Sequence, residues 1–487
     1  MKFEELYVKY NYFIDDFFKE KTKNEIKEKS QYFTPLNVID KMLINIEISN
    51  KSKIKILDPA CGCGILLIKL VEKILSKYPF QVIEIDAYDI DEKVLNITKQ
   101  LFDCLKLKNV TLNLWHENFL LSFSSNRYDY IIANPPYKKT NINLLPISLL
   151  KFVNGQPNLY HLFIGKSLEL LEKKGIFIVI SPKNYLAGKY TENLRKFILK
   201  NFSIVKIHTF NERSKIFENK IVQEVCILHI VNKKIQKVNV SYNNNENMEI
   251  DIKDLILDNK KNIIITPRNY EDIKILKSFS ISFEKTIGIE FFLKIGKTVQ
   301  FRVKDFEKSL IENEYFNYKK GIPLIVYRHI NTGFFNYRKI NEKNKNRAIT
   351  ILDNIYNKSF MLENANYIFL KKNIDKNDDK LVFPVLYLKD LKTEKISIDN
   401  NVAYFTNATN TLSTKEAIGI FCILNSVQFD MYYRMINSSH TINIYELECM
   451  HFPSVKVIQE IGERCLNKKL TVDFCSNIIK KYLKEPD

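Results

Sequence analysis

The feature that most constrains the fold is an alternation of short apolar strands with amphipathic helices in the first half of the chain. Apolar runs predict strands at 54–57, 81–88, 111–115, 128–133, 175–181, 204–210 and 222–231. Segments with helical spacing of apolar residues lie between most of them, for example 65–77 and 93–105. Because this alternation is typical of a parallel sheet with helices on both faces, we predict an α/β, Rossmann-like doubly wound domain of seven strands.

Length and charge indicate the domain organisation and the class of partner. The chain has 487 residues and a formal net charge of +18. This length exceeds one ordinary hydrophobic core, so we predict two domains, 1–240 and 241–487, divided within a polar connection at 232–250. The second domain lacks the strand–helix alternation and is expected to be mixed α+β. The basic excess is spread over both halves, which favours a polyanionic partner such as nucleic acid.

The cysteines and the apolar segments bear on the cellular compartment. Eight cysteines are present, and none forms a CxxC pair or a Cys/His cluster with zinc-like spacing. No stretch approaches the roughly 20 apolar residues that span a bilayer, and the amino terminus lacks a secretory pattern. We therefore expect a reduced, cytoplasmic protein with neither a structural metal nor a membrane partner.

A glycine-containing turn, residues 58–64 (DPACGCG), follows the first predicted strand and precedes a helix. This is half of a nucleotide-binding unit, but Leu67 stands where the dinucleotide fingerprint requires its third glycine, so a pyrophosphate ligand is disfavoured. Asp58 at the strand end suits a cationic head group better than a phosphate. Cys61 and Cys63 are interpreted as small space-filling residues.

Two further positions are typical of ligand contacts in such a sheet. Asp89 ends the second strand, where doubly wound folds hold a ribose through its hydroxyls, and Asp91 is interpreted as a helix cap. Thr34 and Pro35 begin a predicted helix, and the Thr34 hydroxyl with the free N–H groups of that turn offers a place for a carboxylate.

The tetrapeptide Asn134-Pro135-Pro136-Tyr137 follows the fourth predicted strand. The prolines stiffen the turn, so the Asn134 side-chain oxygen and the Pro135 carbonyl can both accept hydrogen bonds from one planar amino group. Tyr137 offers a flat face on which an aromatic base can stack. This segment therefore predicts a site that holds an amino group on a ring, whereas an ordinary proline-rich turn is the alternative.

Taken in order, these motifs resemble the gamma class of adenine-N6 DNA methyltransferases over about residues 30–235. The resemblance implies S-adenosylmethionine as cofactor and a flipped-out adenine in double-stranded DNA as substrate, with residues 134–137 catalytic and a second stacking aromatic at Phe217. Two departures from the family pattern are Asn118, where an acid is usual, and Cys63, where serine is usual. The implied cofactor-binding residues are Thr34, Pro35, Asp58, Ala60, Gly62, Gly64, Asp89, Ile90, Asn118, Phe119, Asn134 and Phe163.

The resemblance also implies a role for 241–487 in recognising the DNA target and possible partnership with a separate restriction endonuclease. The sequence has no convincing carboxylate pair with a lysine in nuclease spacing, so we expect no fused nuclease. Lys297, Arg302 and Arg328 are the predicted phosphate contacts, because they lie in segments that mix basic and aromatic residues. Two alternatives stay open: methyl transfer to a protein glutamine, by enzymes that share the Asn-Pro-Pro-Tyr motif, and methyl transfer to RNA. A catalytically silent DNA-binding subunit is disfavoured because the glycine turn and Asn134 are both intact.

Overall fold

A computed structural model describes residues 2–19, 25, 33–210, 224–243, 245–258, 260–299, 302, 321–330, 335–337, 350–351, 353–373, 380–437 and 441–486. The described chain divides into two compact units, Met1–Asn269 and Tyr270–Asp487. Among the described residues, no helix is both long enough and apolar enough to cross a membrane.

The first unit is built on one sheet whose described strands follow the order β3-β2-β1-β4-β5-β7-β6-β8-β9. Strands β1 to β5 run parallel, and β7 is antiparallel to both β5 and β6. The strand bounds are β1 Lys53–Asp58, β2 Val82–Asp89, β3 Val110–His116, β4 Tyr128–Ala133, β5 Leu171–Pro182, β6 Ser203–Thr209, β7 Val225–Val231, β8 Lys237–Tyr242 and β9 Met248–Asp251.

Helices connect these strands and bury their apolar faces against the sheet. Their bounds are α1 Phe3–Lys19, α2 Leu36–Leu43, α3 Ile65–Lys77, α4 Glu92–Leu105, α5 Leu159–Glu169, α6 Glu192–Asn201 and α7 Ile252–Leu255. A short hairpin of β10 (Ile256–Asp258) and β11 (Ile263–Ile264) precedes the end of this unit. Four apolar residues of α2, namely Val38, Ile39, Met42 and Leu43, are buried as their helical spacing predicts.

The seven predicted strands are all present, but the expected polar connection at 232–250 is wrong. Strands β8 and β9 lie there and extend the sheet by pairing with β6 and with each other. Val238 and Val240 are buried while Asn239 between them is exposed, which is the alternation of a strand with one buried face. The surrounding lysines and asparagines hid this short pattern. Because these strands belong to the sheet, the first unit continues to Asn269 instead of ending at residue 240.

The second unit contains two small sheets and a helical layer, as expected for mixed α+β structure. Its strands are β12 Phe291–Ile295, β13 Ile322–Ile325, β14 Thr350–Ile351, β15 Met361–Glu363, β16 Asn366–Lys371, β17 Pro384–Leu388, β18 Lys395–Ile398 and β19 Val402–Asn407. They form the described sheets β12-β19-β16-β17 and β14-β13-β18-β15. The helices are α8 Tyr270–Ser282, α9 Thr414–Leu424, α10 Val427–Ile436, α11 Ile444–Leu447, α12 Val455–Cys465 and α13 Val472–Lys480.

Candidate active site at the switch point of the sheet

The candidate site lies at the carboxyl edge of the parallel strands. In the sheet, β2 and β3 lie on one side of β1, whereas β4 and β5 lie on its other side. The direction in which successive strands are added therefore reverses between β1 and β4. Ligands of open α/β sheets bind in the crevice at such a switch point. Asp58 ends β1, Asp89 ends β2 and Asn134 directly follows β4. The parallel pairing therefore places these three predicted residues at one edge.

The glycine turn is held in one conformation by contacts with β2 and α4. Gly62 and Gly64 have φ angles of +52° and +75°, a backbone region that L side chains rarely adopt. The Cys61 N–H donates to the Tyr88 carbonyl at 2.9 Å, which attaches the turn to the end of β2. The Thr98 hydroxyl lies 2.9 Å from the Gly62 carbonyl, and a Cβ on Gly64 would lie 2.6 Å from the Thr98 Cγ2. The backbone conformation and the close approach of Thr98 therefore both require glycine at position 64.

Two carboxyl groups flank this turn. The Asp89 Oδ2 accepts from the Gly62 N–H at 2.9 Å, and its Oδ1 accepts from the Asp91 N–H at 2.9 Å. Asp58 is fully buried; its Oδ1 accepts from the Ala60 N–H at 3.1 Å, whereas its Oδ2 has no hydrogen-bond partner in the part of the chain that is described. Burial raises the pKa of Asp58 well above its usual range and raises the pKa of Asp89, although backbone N–H groups oppose the shift at both.

The side-chain amide of Asn134 is hydrogen-bonded on both sides. Its Nδ2 donates to the Thr34 hydroxyl at 3.0 Å, and its Oδ1 accepts from the Tyr137 hydroxyl at 2.9 Å. The Tyr137 hydroxyl also lies 3.2 Å from the Ile180 carbonyl of β5. Burial raises the pKa of Tyr137, so this hydroxyl remains a proton donor throughout the ordinary pH range. These contacts join residues from the segment before α2, the turn after β4, and β5.

The ring of Tyr137 and the Pro135 carbonyl complete this side of the site. The Tyr137 ring is half-buried and meets the Tyr160 ring edge-on, with centroids 6.0 Å apart. The Tyr160 hydroxyl in turn donates to the Asn184 Oδ1 at 2.7 Å. Pro135 is buried, and its carbonyl has no hydrogen-bond donor among the described residues. Asn134 and Pro135 therefore present two neighbouring acceptors.

Phe119, which the resemblance assigns to the cofactor adenine, is buried among other side chains. Only 1% of its surface is exposed, and its ring packs against Tyr88 and Phe163 at centroid distances of 5.4 and 5.6 Å. The Lys166 ammonium lies 4.7 Å from the centre of the Phe119 ring and donates to the carbonyls of Phe119 and Ser122. Burial lowers the pKa of Lys166 to about 8. A ligand ring can contact Phe119 only over the small area that these neighbours leave open.

Three of the other predicted cofactor residues are more exposed than Phe119. Ile90, next to Asp89, is 60% exposed, and Pro35 is half-buried at the start of α2. Asn118 is exposed, and its Oδ1 accepts from the Leu120 N–H at 3.0 Å, so this oxygen already has one donor. Phe217 lies outside the described residues.

The three predicted phosphate contacts lie in the second unit. Lys297 and Arg302 are exposed and Arg328 is half-buried. Next to Lys297, the Thr298 N–H donates to the Ile398 carbonyl, and the Asp399 N–H donates to the Ile325 carbonyl of β13. The segments that carry Lys297 and Arg328 therefore both lie beside the end of β18.

Sequence reasoning missed Thr98, Tyr160 and Asn184. Thr98 contacts the glycine turn from α4, and Tyr160 contacts Tyr137 from α5. Nothing in the spacing of these residues indicates such contacts, because each depends on how a helix lies on the sheet. The prediction that no metal site is present stays a prediction. Among the described residues, no group of His, Cys, Asp and Glu is arranged to hold a metal ion, and Cys61 and Cys63 are buried.

The chain is similar in sequence to known methyltransferases. A family model described as Eco57I restriction-modification methylase matches residues 65–217. The type II methyltransferase M.PstI of Providencia stuartii is 23% identical over 467 residues, which cover 90% of this chain and 90% of the relative. M.BsuBI of Bacillus subtilis, also a type II methyltransferase, is 24% identical over 471 residues, covering 91% and 90%.

Among solved structures, the type IIL restriction-modification enzyme MmeI, determined in complex with DNA, aligns with 100% of this chain and 74% of its own. The TM-score is 0.51 at 12% identity, a likeness of fold alone. The predicted α/β fold class is thus confirmed. The family match and the two relatives support a methyltransferase of the restriction-modification type, and this class is consistent with S-adenosylmethionine as cofactor.

Proposed function

We propose that this protein is a site-specific DNA methyltransferase that transfers a methyl group from S-adenosylmethionine to the N6 amino group of a flipped-out adenine. The observation that carries the proposal is the position of Asn134 and Pro135, which present two acceptors at the switch point of the sheet. The type II methyltransferase relatives, which match about nine tenths of the chain, support DNA as the substrate.

The residues at the sheet edge fit the cofactor. S-adenosylmethionine, when bound, supplies the methyl group and carries a sulfonium charge. Asp58 has a buried carboxyl oxygen without a described partner, and the adjacent turn has no side chains at Gly62 and Gly64. The carboxylates suit a cationic ligand, while Asp89 is in the position to accept hydrogen bonds from a ribose. We propose that these four residues, together with Phe119 and Phe163 at its adenine, hold the cofactor.

The acceptors at Asn134 and Pro135 address the difficulty of the reaction. The amino nitrogen of adenine is a poor nucleophile because its lone pair is delocalised into the ring. Hydrogen bonds from its two N–H groups to Asn134 Oδ1 and the Pro135 carbonyl would strengthen as the nitrogen becomes pyramidal and gains positive charge. Such bonds lower the barrier because they are stronger in the transition state than in the ground state. Stacking on Tyr137, and on Phe217, would offset the few kcal/mol needed to remove the base from the duplex.

Methylation of a DNA library, read by sequencing that detects N6-methyladenine, tests the proposed function. We expect methyladenine in one sequence context with the full-length protein. Asn134→Ala should bind cofactor and DNA nearly as well as the wild type but transfer methyl groups orders of magnitude more slowly, because its acceptor matters chiefly in the transition state. Parallel reactions with RNA and with a glutamine-containing protein test the two alternative methyl acceptors. Transfer to either of these, with none to DNA, would contradict the proposal.

We propose that the second unit recognises the DNA sequence, with Lys297, Arg302 and Arg328 contacting phosphates. Replacing Lys297 or Arg328 with glutamate should weaken duplex binding at all sequences and reduce the slope of log affinity against log salt by about 1 per contact. Lys468→Glu, at an exposed position of the same unit, is the matched control. Equal salt slopes for the variants and the control would remove these residues from the interface.

A further inference from the structure

We infer that Thr34 is a positioning residue for the methyl-transfer reaction: its hydroxyl holds the Asn134 amide so that Oδ1 is available to the target amino group. The inference rests on the proposed function and adds a residue to that site. Asn134 Nδ2 donates to Thr34 Oγ1 at 3.0 Å, across 100 positions of sequence. This role differs from the cofactor contact that the resemblance implied for Thr34.

The local structure around Thr34 does not otherwise use its hydroxyl. Thr34 is 4% exposed and precedes α2, whose N-cap is Pro35 and has no side-chain capping bond. The first turn of α2 is instead closed by backbone bonds from Val38 and Ile39 to the Pro35 carbonyl. The amide of Asn134 is therefore the hydrogen-bond partner of the Thr34 side chain among the described residues.

The chemistry of an asparagine side chain explains why such a bond matters. The amide carries an acceptor on one side and two donors on the other, and rotation by 180° exchanges them. A target amino group can only be held by the acceptor side. In the observed arrangement Nδ2 faces Thr34, and Oδ1 lies on the side of Tyr137. Loss of the Thr34 hydroxyl would remove this acceptor of Nδ2, and the Tyr137 hydroxyl would then hold only the opposite end of the amide.

Tyr137 contacts the opposite end of the Asn134 amide. Its hydroxyl donates to Asn134 Oδ1 at 2.9 Å. This oxygen is the atom proposed to accept the target N–H. An amide oxygen has two lone pairs, so a target N–H can join this hydroxyl or replace it. In both cases Thr34 is the contact that stays in place, because it binds the opposite end of the amide.

A matched pair of substitutions in the full-length protein separates positioning from cofactor binding. Thr34→Val keeps the shape but removes the hydroxyl, whereas Thr34→Ser keeps the hydroxyl. We expect Thr34→Val to lower the single-turnover rate of methyl transfer at saturating cofactor by about 10- to 100-fold, with S-adenosylmethionine affinity by calorimetry changed less than about threefold. Thr34→Ser should restore most of the rate. Thr266→Val, at a threonine that is 2% exposed and lies outside the site, is the control for burial.

The reverse pattern would overturn the inference: weaker cofactor binding with an unchanged rate at saturation would assign Thr34 to the cofactor alone. A loss of single-turnover rate in Thr34→Ser as large as that in Thr34→Val would also overturn it, because the hydroxyl would then be irrelevant.

A stability cycle tests the same contact without any assay of transfer. Thr34→Val should lower the urea midpoint in the wild-type background and leave it nearly unchanged in an Asn134→Ala background, because the bond is already lost there. Equal shifts in both backgrounds would contradict the contact. If the wild-type protein transferred methyl groups to a protein amide instead of DNA, the proposed function would fail, yet this cycle and the Val/Ser comparison on that acceptor would still decide the role of Thr34.

Discussion

A side chain at Gly64 should disturb both the stability and the cofactor affinity of the first unit. Gly64 has a φ of +75°, which costs about 1–2 kcal/mol for a residue with a Cβ. A Cβ there would lie 2.6 Å from Thr98 Cγ2 and 3.0 Å from Thr98 Oγ1, and Thr98 is fully buried. Overpacking of this kind costs about 1–3 kcal/mol. Gly64→Ala should therefore lower the free energy of unfolding by roughly 2–5 kcal/mol.

Two further variants separate the backbone cost from the packing cost. Thr98→Ser removes the methyl group at 2.6 Å but keeps the hydroxyl beside the Gly62 carbonyl, so Gly64→Ala should cost about 1–2 kcal/mol less in that background. Gly155→Ala is the matched control for φ, because Gly155 has a φ of +81° and its near neighbour, the Tyr190 ring, is 52% exposed and can move.

Urea unfolding gives the free energies, and titration calorimetry gives the affinity for S-adenosylmethionine. We expect Gly64→Ala to weaken cofactor binding as well, because the turn must shift away from α4. The reasoning is refuted if Gly64→Ala unfolds within about 0.5 kcal/mol of the wild type, or if Thr98→Ser gives no relief.

The remaining predictions concern Asp89 and two buried histidines. Asp89→Ala should weaken S-adenosylmethionine binding by about 1.5–3 kcal/mol, because a charged acceptor is lost; calorimetry that shows unchanged affinity would remove Asp89 from the site. Burial lowers the pKa of His161 and of His229 to about 3, below the 6.5 of an exposed imidazole, so the unfolded chain binds more protons below pH 6.5. Their contribution to stability is therefore complete well above pH 6.5 and falls by about 1.6 kcal/mol per histidine between pH 6.5 and 5, which urea unfolding at the two pH values measures. His161→Phe should reduce that loss by about one histidine's share, and an unchanged loss would contradict the assignment.

The sequence predicted the positions of Asp58, Asp89 and Asn134 at one edge because that edge follows from strand direction alone. Local rules also predict the helix-capping role of Asp91 correctly, since its side chain accepts from the Lys93 N–H at the start of α4. Periodicity identifies which face of a helix is buried, but it does not identify which side chain meets which. The contact of Thr98 with the glycine turn was therefore inaccessible.

The hydrogen bond between Thr34 and Asn134 could not be predicted from the sequence for a related reason. The sequence placed Thr34 at a helix start and Asn134 after a strand, and both positions are confirmed by α2 and β4. The hydroxyl was interpreted as facing a ligand because helix starts commonly bind anions. In the structure, the Thr34 hydroxyl accepts instead from the Asn134 side chain, 100 residues away. This contact depends on how α2 packs beside the sheet.

The electrostatics of the sheet edge explain why a protein of net charge +18 keeps two acidic groups at its proposed cofactor site. Asp58 is fully buried, and its Oδ2 has no partner among the described residues, so ionising this carboxyl is costly. Burial and the neighbouring Asp89 both raise its pKa, which is the signature of a group that lacks a nearby positive charge. A cationic ligand would supply that charge and favour the ionised form, whereas a phosphate would be repelled. In their ionised forms the same two carboxyls would also repel a phosphate backbone from this crevice, so we expect the proposed phosphate contacts to lie elsewhere on the chain.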